Sequence, residues 1–373
     1  MARAVHDDID AFSSAEDRSR VCGLLCALVS KVDFGKDVER TLDTLAVLRQ
    51  GLCSLDEVKV ALVERYLALA GRVGARAAAA ATAAAGAGGG PGGGAGGGGA
   101  PLPAKALAFL RAVFSAAAVT IPAIDDPLQR LRLCTAAASC ALAHGALAQA
   151  DALFRAAIGE IPELPAARAI ALATAASAPA GAAAPPSAAA AAAALDQAVA
   201  AQVGVLAAAV LPMPGHPELG GTYLARGLLA ALGKYPWSPS PAASPARPRA
   251  ALALLALAQG WLADPPPYAP IPGVDSNAVL YAGDGEHRSA CTALHRAVLE
   301  ACAAQLGEAA ERGDKGVALE GLCELLEPAR VRRALACDDS EGACRAALGG
   351  ALGVLRGLAP AHPAIAAAVG AMQ

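Results

Sequence analysis

His287, Cys291 and His295 fall at intervals of four residues, and Cys302 stands two turns farther along. On a helix that spacing puts the side chains on one face. Imidazole and thiolate are ligands that zinc takes. Against a metal centre, structural zinc sites draw their ligands from more than one element, and a straight helix separates positions i and i+8 by ~12 Å. A packed or solvated helix face is therefore the expected role, and no metal is assigned. His216 lies between Pro214 and Pro217 with Glu218 close by. Acid–base work would need a nucleophile or a second base beside it, and the sequence supplies neither. The expected role of its imidazole is to cap the following helix or to meet a partner. Gly86–Ala100 satisfies a GxGxxG pattern through its glycine content alone. No strand pattern precedes it and no GK[ST] follows, so it does not read as a phosphate cradle. GxSxG, HExxH, EF-hand and kinase signatures are missing from the sequence. The reading is a non-catalytic chain with no cofactor.

The elements that would position these residues are helical. The most regular stretch is Lys105–Pro165. Leu107, Leu110, Phe114 and Ile121 recur at spacings of three, four and seven and predict one helix. Pro122, Asp125, Asp126 and Pro127 break it. Leu128, Leu131, Thr135, Ala138 and Leu142 predict a second helix, ended at Gly145. Leu147, Ala150, Phe154, Ala157 and Ile158 predict a third, ended at Pro162. Gly145, Ala150, Phe154, Ala157 and Pro162 also match the small and aromatic positions of a tetratricopeptide-type hairpin. No second copy lies one repeat length away.

Upstream, Val21, Leu24, Leu25 and Leu28 form the stripe of a first helix. Val38, Leu42, Leu45 and Leu48 form that of a second. Ser54 and Glu57 have the spacing of a capping box ahead of a third helix carrying Val58, Leu62, Val63, Tyr66 and Leu69, which Ala77–Ala85 would prolong. Downstream, helices are expected over Leu195–Leu211, Thr222–Leu232, Ala250–Leu262 and in several segments from Glu286 onward. Proline-rich turns separate them. About a dozen helices and no strands predict an all-α fold, an α-solenoid of antiparallel helical hairpins. It would span residues 16–373 behind an irregular start at 1–15, with flexible Gly/Ala/Pro-rich insertions at 77–104, 178–194 and 236–249.

Composition agrees with this outline. Aromatic residues are 3% of the 373 residues, while alanine raises the hydrophobic share to 55%. Many alanines and few rings favour closely packed helices over a β-rich core. A net charge of −3 without a basic, aromatic-studded stripe gives no support for nucleic-acid binding. The acidic start resembles neither a secretory signal nor an arginine-rich transit peptide. The apolar run Ala188–Leu211 holds Asp196, Gln197 and Gln202 and reads as a soluble helix. Most of the ten cysteines sit on apolar faces without a CxxC pair, as expected of thiols buried in a reducing compartment. The scarce rings and the rigid turns supply a candidate partner interface: His216, Glu218, Tyr223, Tyr235, Trp237, Asp275 and Tyr281.

Several motifs occur in a fixed order: VDFGKD (Val32–Asp37), the block Lys105–Pro165, HPELG (His216–Gly220), YPW (Tyr235–Trp237) and VDSNAVLYAGD (Val274–Asp284). Together they resemble the C-terminal part of the large scaffold subunit of retriever, an endosomal recycling complex. That subunit is a vacuolar-protein-sorting α-solenoid related to the retromer scaffold. The likeness covers about residues 20–300 and fades to helical pattern beyond. It implies a cytoplasmic scaffold held peripherally at endosomes, returning membrane proteins to the cell surface. It implies as partners a small subunit of phosphoesterase-like fold, an arrestin-like subunit, the assembly of COMM-domain and coiled-coil proteins, and a sorting-nexin cargo adaptor. In the family the arrestin-like subunit binds farther N-terminal, in a region without a counterpart here. The chain departs from the pattern by its length, by the glycine insertion and by expansions at 178–194 and 238–248. Two other readings stand beside this one: a tetratricopeptide-like adaptor that holds a short peptide, suggested by Gly145–Pro162, and, more distantly, a metal-dependent enzyme.

Overall fold

A computed structural model describes residues 14–52, 54–87, 102–164, 188–238, 245–336 and 342–373. Among these the protein is all-α, with fifteen α-helices, two short 3-10 turns and no strand. A single isolated bridge pairs His216 with Gly220. The all-α, hairpin-by-hairpin class expected from the periodicity is the one observed. The chain forms two compact units. One comprises Met1–Glu160 with Pro270–Val274, the other Ile161–Ala269 with Asp275–Gln373.

The first unit holds α1 (Ala15–Ser30), α2 (Val38–Gly51), α3 (Asp56–Ala87), α4 (Ala104–Thr120), α5 (Pro127–Ala143) and α6 (Leu147–Glu160). Helix α3 is its spine, packing against α1, α2, α4 and α5. Val58, Leu62, Val63, Tyr66 and Leu69 are all buried on it, as their spacing predicts. The helix continues through Ala77 to Ala87. The remainder of the glycine-rich stretch, 88–101, lies outside the described residues, as do 165–187 and 239–244.

Polar groups fix the turns of this unit. The Asp56 carboxylate accepts from the backbone N–H of Asp125 at 2.7 Å, and its other oxygen pairs with Lys59 at 2.8 Å. Lys59, itself buried, donates to the Ala123 carbonyl at 2.5 Å. One pair of side chains on α3 thus anchors the break between α4 and α5. Asp126 caps α5 by accepting from the Leu128 N–H. Arg130 bridges α5 to the end of α6 through Glu160 at 2.8 Å. The VDFGKD turn docks on α3 through Asp33, which pairs with Arg72 and also accepts from the Gly35 N–H. The Arg72 hydrogen bond holds the Asp33 carboxyl below its usual range.

Helices α5 and α6 form a tight hairpin. Gly145 takes φ +70° at the end of α5. Its N–H reaches the Leu142 carbonyl, and that of Ala146 reaches Ala141, both at 2.9 Å. This is the Schellman closure that a glycine at this position permits. Ala150, Phe154 and Ala157 are fully buried, so the small–aromatic–small pattern serves close helix approach.

One expectation is corrected. The first stripe was centred on Val21, Leu24, Leu25 and Leu28, but α1 buries Cys22, Leu25 and Val29. Leu24 is 63% exposed and Leu28 is exposed as well. Helix α1 rests mainly on α3, so a narrow line of positions is covered. An apolar stripe wider than that line does not mark its own centre.

The second unit holds α7 (Ala188–Val210), α8 (Tyr223–Lys234), α9 (Ala246–Leu262), α10 (Asn277–Leu280), α11 (Gly285–Glu311), α12 (Lys315–Leu325), α13 (Pro328–Ala336), α14 (Ala343–Leu358) and α15 (Pro363–Met372). Helix α9 packs between α7 and α11. Its Ala250, Leu252, Leu254, Leu255, Leu257 and Ala258 are all buried, which explains an apolar character nearly all round. Two segments, Ala104–Ala123 and Ala190–Val210, are long and apolar enough to cross a membrane. Each uses apolar side chains in packing: Leu110, Val113 and Phe114 in the first unit, Val199, Val203 and Leu206 in the second.

The observed register of α1 sets two substitutions apart. Leu25→Ala should lower the unfolding free energy by roughly 2–5 kcal/mol, as for other buried leucines. Leu24→Ala should change it by no more than about 0.5 kcal/mol. Urea titrations followed by circular dichroism measure both, and equal losses would return the buried stripe to Leu24.

Candidate functional site

In the second unit, two turns that lie some sixty residues apart in sequence form one corner. The first follows α7, from Leu211 to Thr222. His216 and Gly220 close it, the Gly220 N–H donating to the His216 carbonyl at 2.9 Å. Gly220 takes φ +82°, a conformation that glycine adopts without strain. The His216 Nδ1 accepts from the backbone N–H groups of Glu218 and Leu219, at 3.1 and 3.3 Å. Of the two expected roles, helix capping is replaced by turn capping: the imidazole holds its own loop ahead of α8. Tyr223 sets its ring edge-on to His216, with centroids 5.6 Å apart. The Tyr223 hydroxyl is buried and has no hydrogen-bond partner among the described residues.

The second turn runs from Asp275 to Asp284 and contains the short helix α10. Asn277 is its clamp. Its side-chain oxygen accepts from the Gly215 N–H at 2.7 Å, and its amide donates to the Met213 carbonyl at 3.3 Å. A buried asparagine thus satisfies two backbone groups of the facing turn, where an orphaned group would be costly. Tyr281 then packs into the gap. The space that a Cβ at Gly215 would need is taken by the Tyr281 hydroxyl and by the Gly221 Cα, 2.6 Å away. A Cβ at Gly221 would collide with the His287 ring. Tyr281 and His287 stack at 4.0 Å with 12° between their planes. Asp284 caps α11 by accepting from the Glu286 and His287 N–H groups. Trp261 at the end of α9 donates to the Leu211 carbonyl at 3.0 Å and ties the corner to the helices behind it.

What the corner presents outward is apolar with an acidic fringe. Leu219 is 47% exposed, Val279 64% and Leu280 49%. Glu218, Asp275, Asp284 and Glu286 are exposed on the same two turns or at the start of α11. Large aliphatic side chains held out by rigid turns are the usual makings of a protein contact.

The other two expected interface residues lie at a second place in this unit. Tyr235 is buried and donates its hydroxyl to the buried Asp196 at 2.6 Å. The Ser238 N–H donates to the other Asp196 oxygen. Trp237 meets the Tyr235 ring edge-on at 4.7 Å. Tyr235 therefore positions the turn, and Trp237 is the less buried ring, its indole N–H donating to the Leu232 carbonyl at 3.4 Å. Trp237 lines a cleft of about 440 Å³ with Leu232, Ala251, Leu254, Val298 and Gln305. The sequence-predicted candidates thus divide: His216, Glu218, Tyr223, Asp275 and Tyr281 at the corner, Tyr235 and Trp237 at the cleft.

The histidine–cysteine series on α11 is divided as well. His287 faces the corner, with its Nε2 3.5 Å from the Cys291 sulfur. His295 is buried, with Nε2 3.4 Å from the Gln259 amide and Nδ1 3.9 Å from the Cys344 sulfur. Burial pushes the Cys302 thiol up to about 12, which keeps it protonated at neutral pH and a poor ligand. Asn277, Gly215 and Gly221 are the residues of the corner that sequence reasoning missed. The Gly220–Gly221 pair was the one signal, since adjacent glycines often mark a close backbone approach.

Each unit is built of packed α-helices joined by turns, the all-α class. Comparison with known proteins shows what the chain is similar to. The model of the VPS35L C-terminal domain matches residues 1–80 and 103–182. A Dictyostelium discoideum protein named VPS35 endosomal protein sorting factor-like is 26% identical over 298 residues, covering 80% of this chain and 26% of that protein. The Homo sapiens protein named VPS35 endosomal protein-sorting factor-like is 26% identical over 304 residues, 80% of this chain and 27% of its own length. The Danio rerio protein of that name is 26% identical over 284 residues, 76% and 25% of the two chains. The likeness to the C-terminal part of the VPS35-like scaffold, first read from the motifs, is thereby shown. The chain spans about a quarter of the length of the curated relatives it matches.

Two outcomes test the corner's construction. Gly221→Val should cost roughly 1–3 kcal/mol, because the His287 ring must leave its stack on Tyr281. Urea denaturation measures the loss, and an unchanged midpoint would show that the corner yields freely. The second concerns pH. Burial outweighs the nearby Asp284 and holds His287 below its ordinary 6.5. As pH falls through 6.5 the unfolded chain takes up this proton first, so the contribution of His287 is present above that pH and is lost below it. His144, lowered by burial, acts in the same direction. The melting temperature should therefore drop between about pH 7.5 and 5.5, and less steeply in His287→Gln. Equal slopes in the two proteins would remove His287 from the effect.

Proposed function

We propose that this chain is part of a non-catalytic scaffold of an endosomal retrieval and recycling assembly, retriever-like, with the corner as a contact surface for a partner protein. The observation that carries the reading is the convergence of the HPELG and VDSNAVLYAGD turns. Asn277, Tyr281, Gly215 and Gly221 lock them together, while Leu219, Val279 and Leu280 stay exposed. Rigid turns lower the ordering cost of binding, and exposed aliphatic side chains supply the area. The names of the relatives, endosomal protein sorting factors, support the cellular setting. Peripheral residence on the cytoplasmic face of endosomes belongs to the same proposal.

The partner proposed for the corner is the small phosphoesterase-fold subunit. The arrestin-like subunit, the COMM-domain and coiled-coil assembly and the sorting-nexin adaptor are proposed as members of the same assembly, reached through the complete scaffold. No reaction is assigned to the chain.

Co-purification of this chain with the small subunit tests the proposal. Leu219→Asp combined with Leu280→Asp should leave the helical circular dichroism unchanged and reduce recovery of the small subunit about tenfold or more, as for loss of a central anchor. Trp237→Ala, at the separate cleft, is the parallel variant. Undiminished recovery with the corner variant would remove the corner from that interface.

A further inference from the structure

Glu218 stands on the first turn of the corner, Asp275 on the second and Glu286 at the start of α11, and all three are exposed. Their carboxylates make no hydrogen bond or ion pair among the described residues. Elsewhere on this unit exposed glutamates meet arginines: Glu308 pairs with Arg247, Glu320 with Arg249, and Glu324 and Glu327 with Arg330. Two cations belong to the elements of the corner. Arg226 on α8 donates to the Leu219 carbonyl at 3.1 Å and so is turned to the loop backbone. Arg288 lines a recess of about 470 Å³ together with Asp264 and Asp284. The balance at the corner is therefore acidic. The residues outside the described segments hold two arginines against six aspartates and glutamates, so their balance is acidic too.

Given the corner's role as a contact surface, on which this rests, we infer that it receives a cationic segment of a partner protein with an apolar centre. Aliphatic or aromatic side chains of that segment lie against Leu219, Val279 and Leu280. Lysines or arginines beside them meet Glu218, Asp275 and Glu286. The backbone carrying these carboxylates is fixed in advance. His216 accepts from the Glu218 N–H, Asp284 accepts from the Glu286 N–H, and Asp275 lies two residues before the Asn277 clamp. Charges held in place without partners favour an opposite charge and reject a like one. An anionic lipid surface or a nucleic acid does not fit the corner, since the same carboxylates repel phosphate.

The two parts of the surface act on different rates. Charges at the rim of an interface speed encounter and make it depend on salt. Apolar side chains at its centre, once desolvated, slow the departure of the partner.

The purified small phosphoesterase-fold subunit, passed over the immobilised full chain in biolayer interferometry, is the probe. Its association rate is expected to fall about tenfold or more between about 50 and 500 mM salt, as screening sets in. Glu218→Lys combined with Asp275→Lys and Glu286→Lys should lower that rate about tenfold or more at about 50 mM salt and flatten its salt dependence. Glu16→Lys combined with Glu39→Lys and Asp43→Lys makes the same change of charge in the first unit and should leave the rate near the unaltered value. Leu219→Ser combined with Leu280→Ser removes apolar surface without changing charge and should raise the dissociation rate. Circular dichroism confirms that each variant is folded. Weakening by the serine variant and none by the corner charge variant would overturn the cationic partner and leave the contact surface standing. Faster association of the corner charge variant would show an acidic partner face and overturn it as well. Undiminished binding in both variants, or no binding by the unaltered chain, would end the corner's role in this contact and the cationic partner with it.

Discussion

Alanine removes little surface from water when it is buried, since each methylene-sized group contributes only ~0.8 kcal/mol. A chain built so largely from alanine gains cohesion where helix backbones come close and its few large side chains fill what remains. Tyr66, Phe114 and Phe154 are the largest fully buried side chains, and all three lie in the first unit. Glycine extends the same device. The His144 ring sits where a side chain on Gly74 would be, Leu211 fills the place of one on Gly260, and Leu306 that of one on Gly321. Close approach between elements is the constraint from which the rest follows, because it fixes how neighbouring helices and turns can be spaced.

The corner repeats that rule in a loop instead of a helix. Gly215 and Gly221 leave room for Tyr281 and His287, and Asn277 satisfies the backbone that this approach takes from water. A turn locked in this way can hold Leu219, Val279 and Leu280 in water without collapsing onto them. The acidic residues beside them keep the patch small, as solubility demands of exposed apolar surface. Exposed apolar surface and stability of the corner therefore come from separate side chains.

This separation explains what the sequence could tell and what it could not. Helical periodicity revealed α4, α5 and α6, because each has a broad buried face and a recognisable break: Pro122, Gly145 and Pro162 in turn. It misplaced the centre of α1, where a single neighbouring helix covers a line narrower than the apolar stripe. The candidate interface was legible as residue types, since rings are scarce and proline-flanked turns are conspicuous. Its geometry was not, because Gly215 finds Asn277 sixty-two residues away, and no local pattern encodes that pairing. Tyr235 and Trp237 looked alike in sequence. The structure separates them through Asp196, a buried carboxylate thirty-nine residues before Tyr235. The histidines of α11 also looked alike. One stacks at the corner and the other is enclosed by Gln259 and Cys344, so helical spacing overstated their kinship.

The chemistry of the interior follows the same constraint. Burial pushes Cys134 and Cys302 up to about 12, and Cys22, beside Glu57, to the same value. Thiols so far above neutral pH are almost wholly protonated, and the thiolate is the form that attacks or ligates. Thr120 and Thr135 return their hydroxyls to the carbonyls of the preceding helical turn. Asp196, Lys59 and Asn277 are all engaged in holding segments of backbone in place. These enclosed polar side chains are tied to neighbours within the fold, as the low dielectric around them requires, while the Tyr66 and Tyr223 hydroxyls are buried without a hydrogen-bond partner among the described residues. The large apolar side chains that stay exposed in the second unit include Leu219, Val279 and Leu280, on the locked turns. Exposed side chains of this kind are usually changed with little effect on stability, whereas the close-packed interior is not.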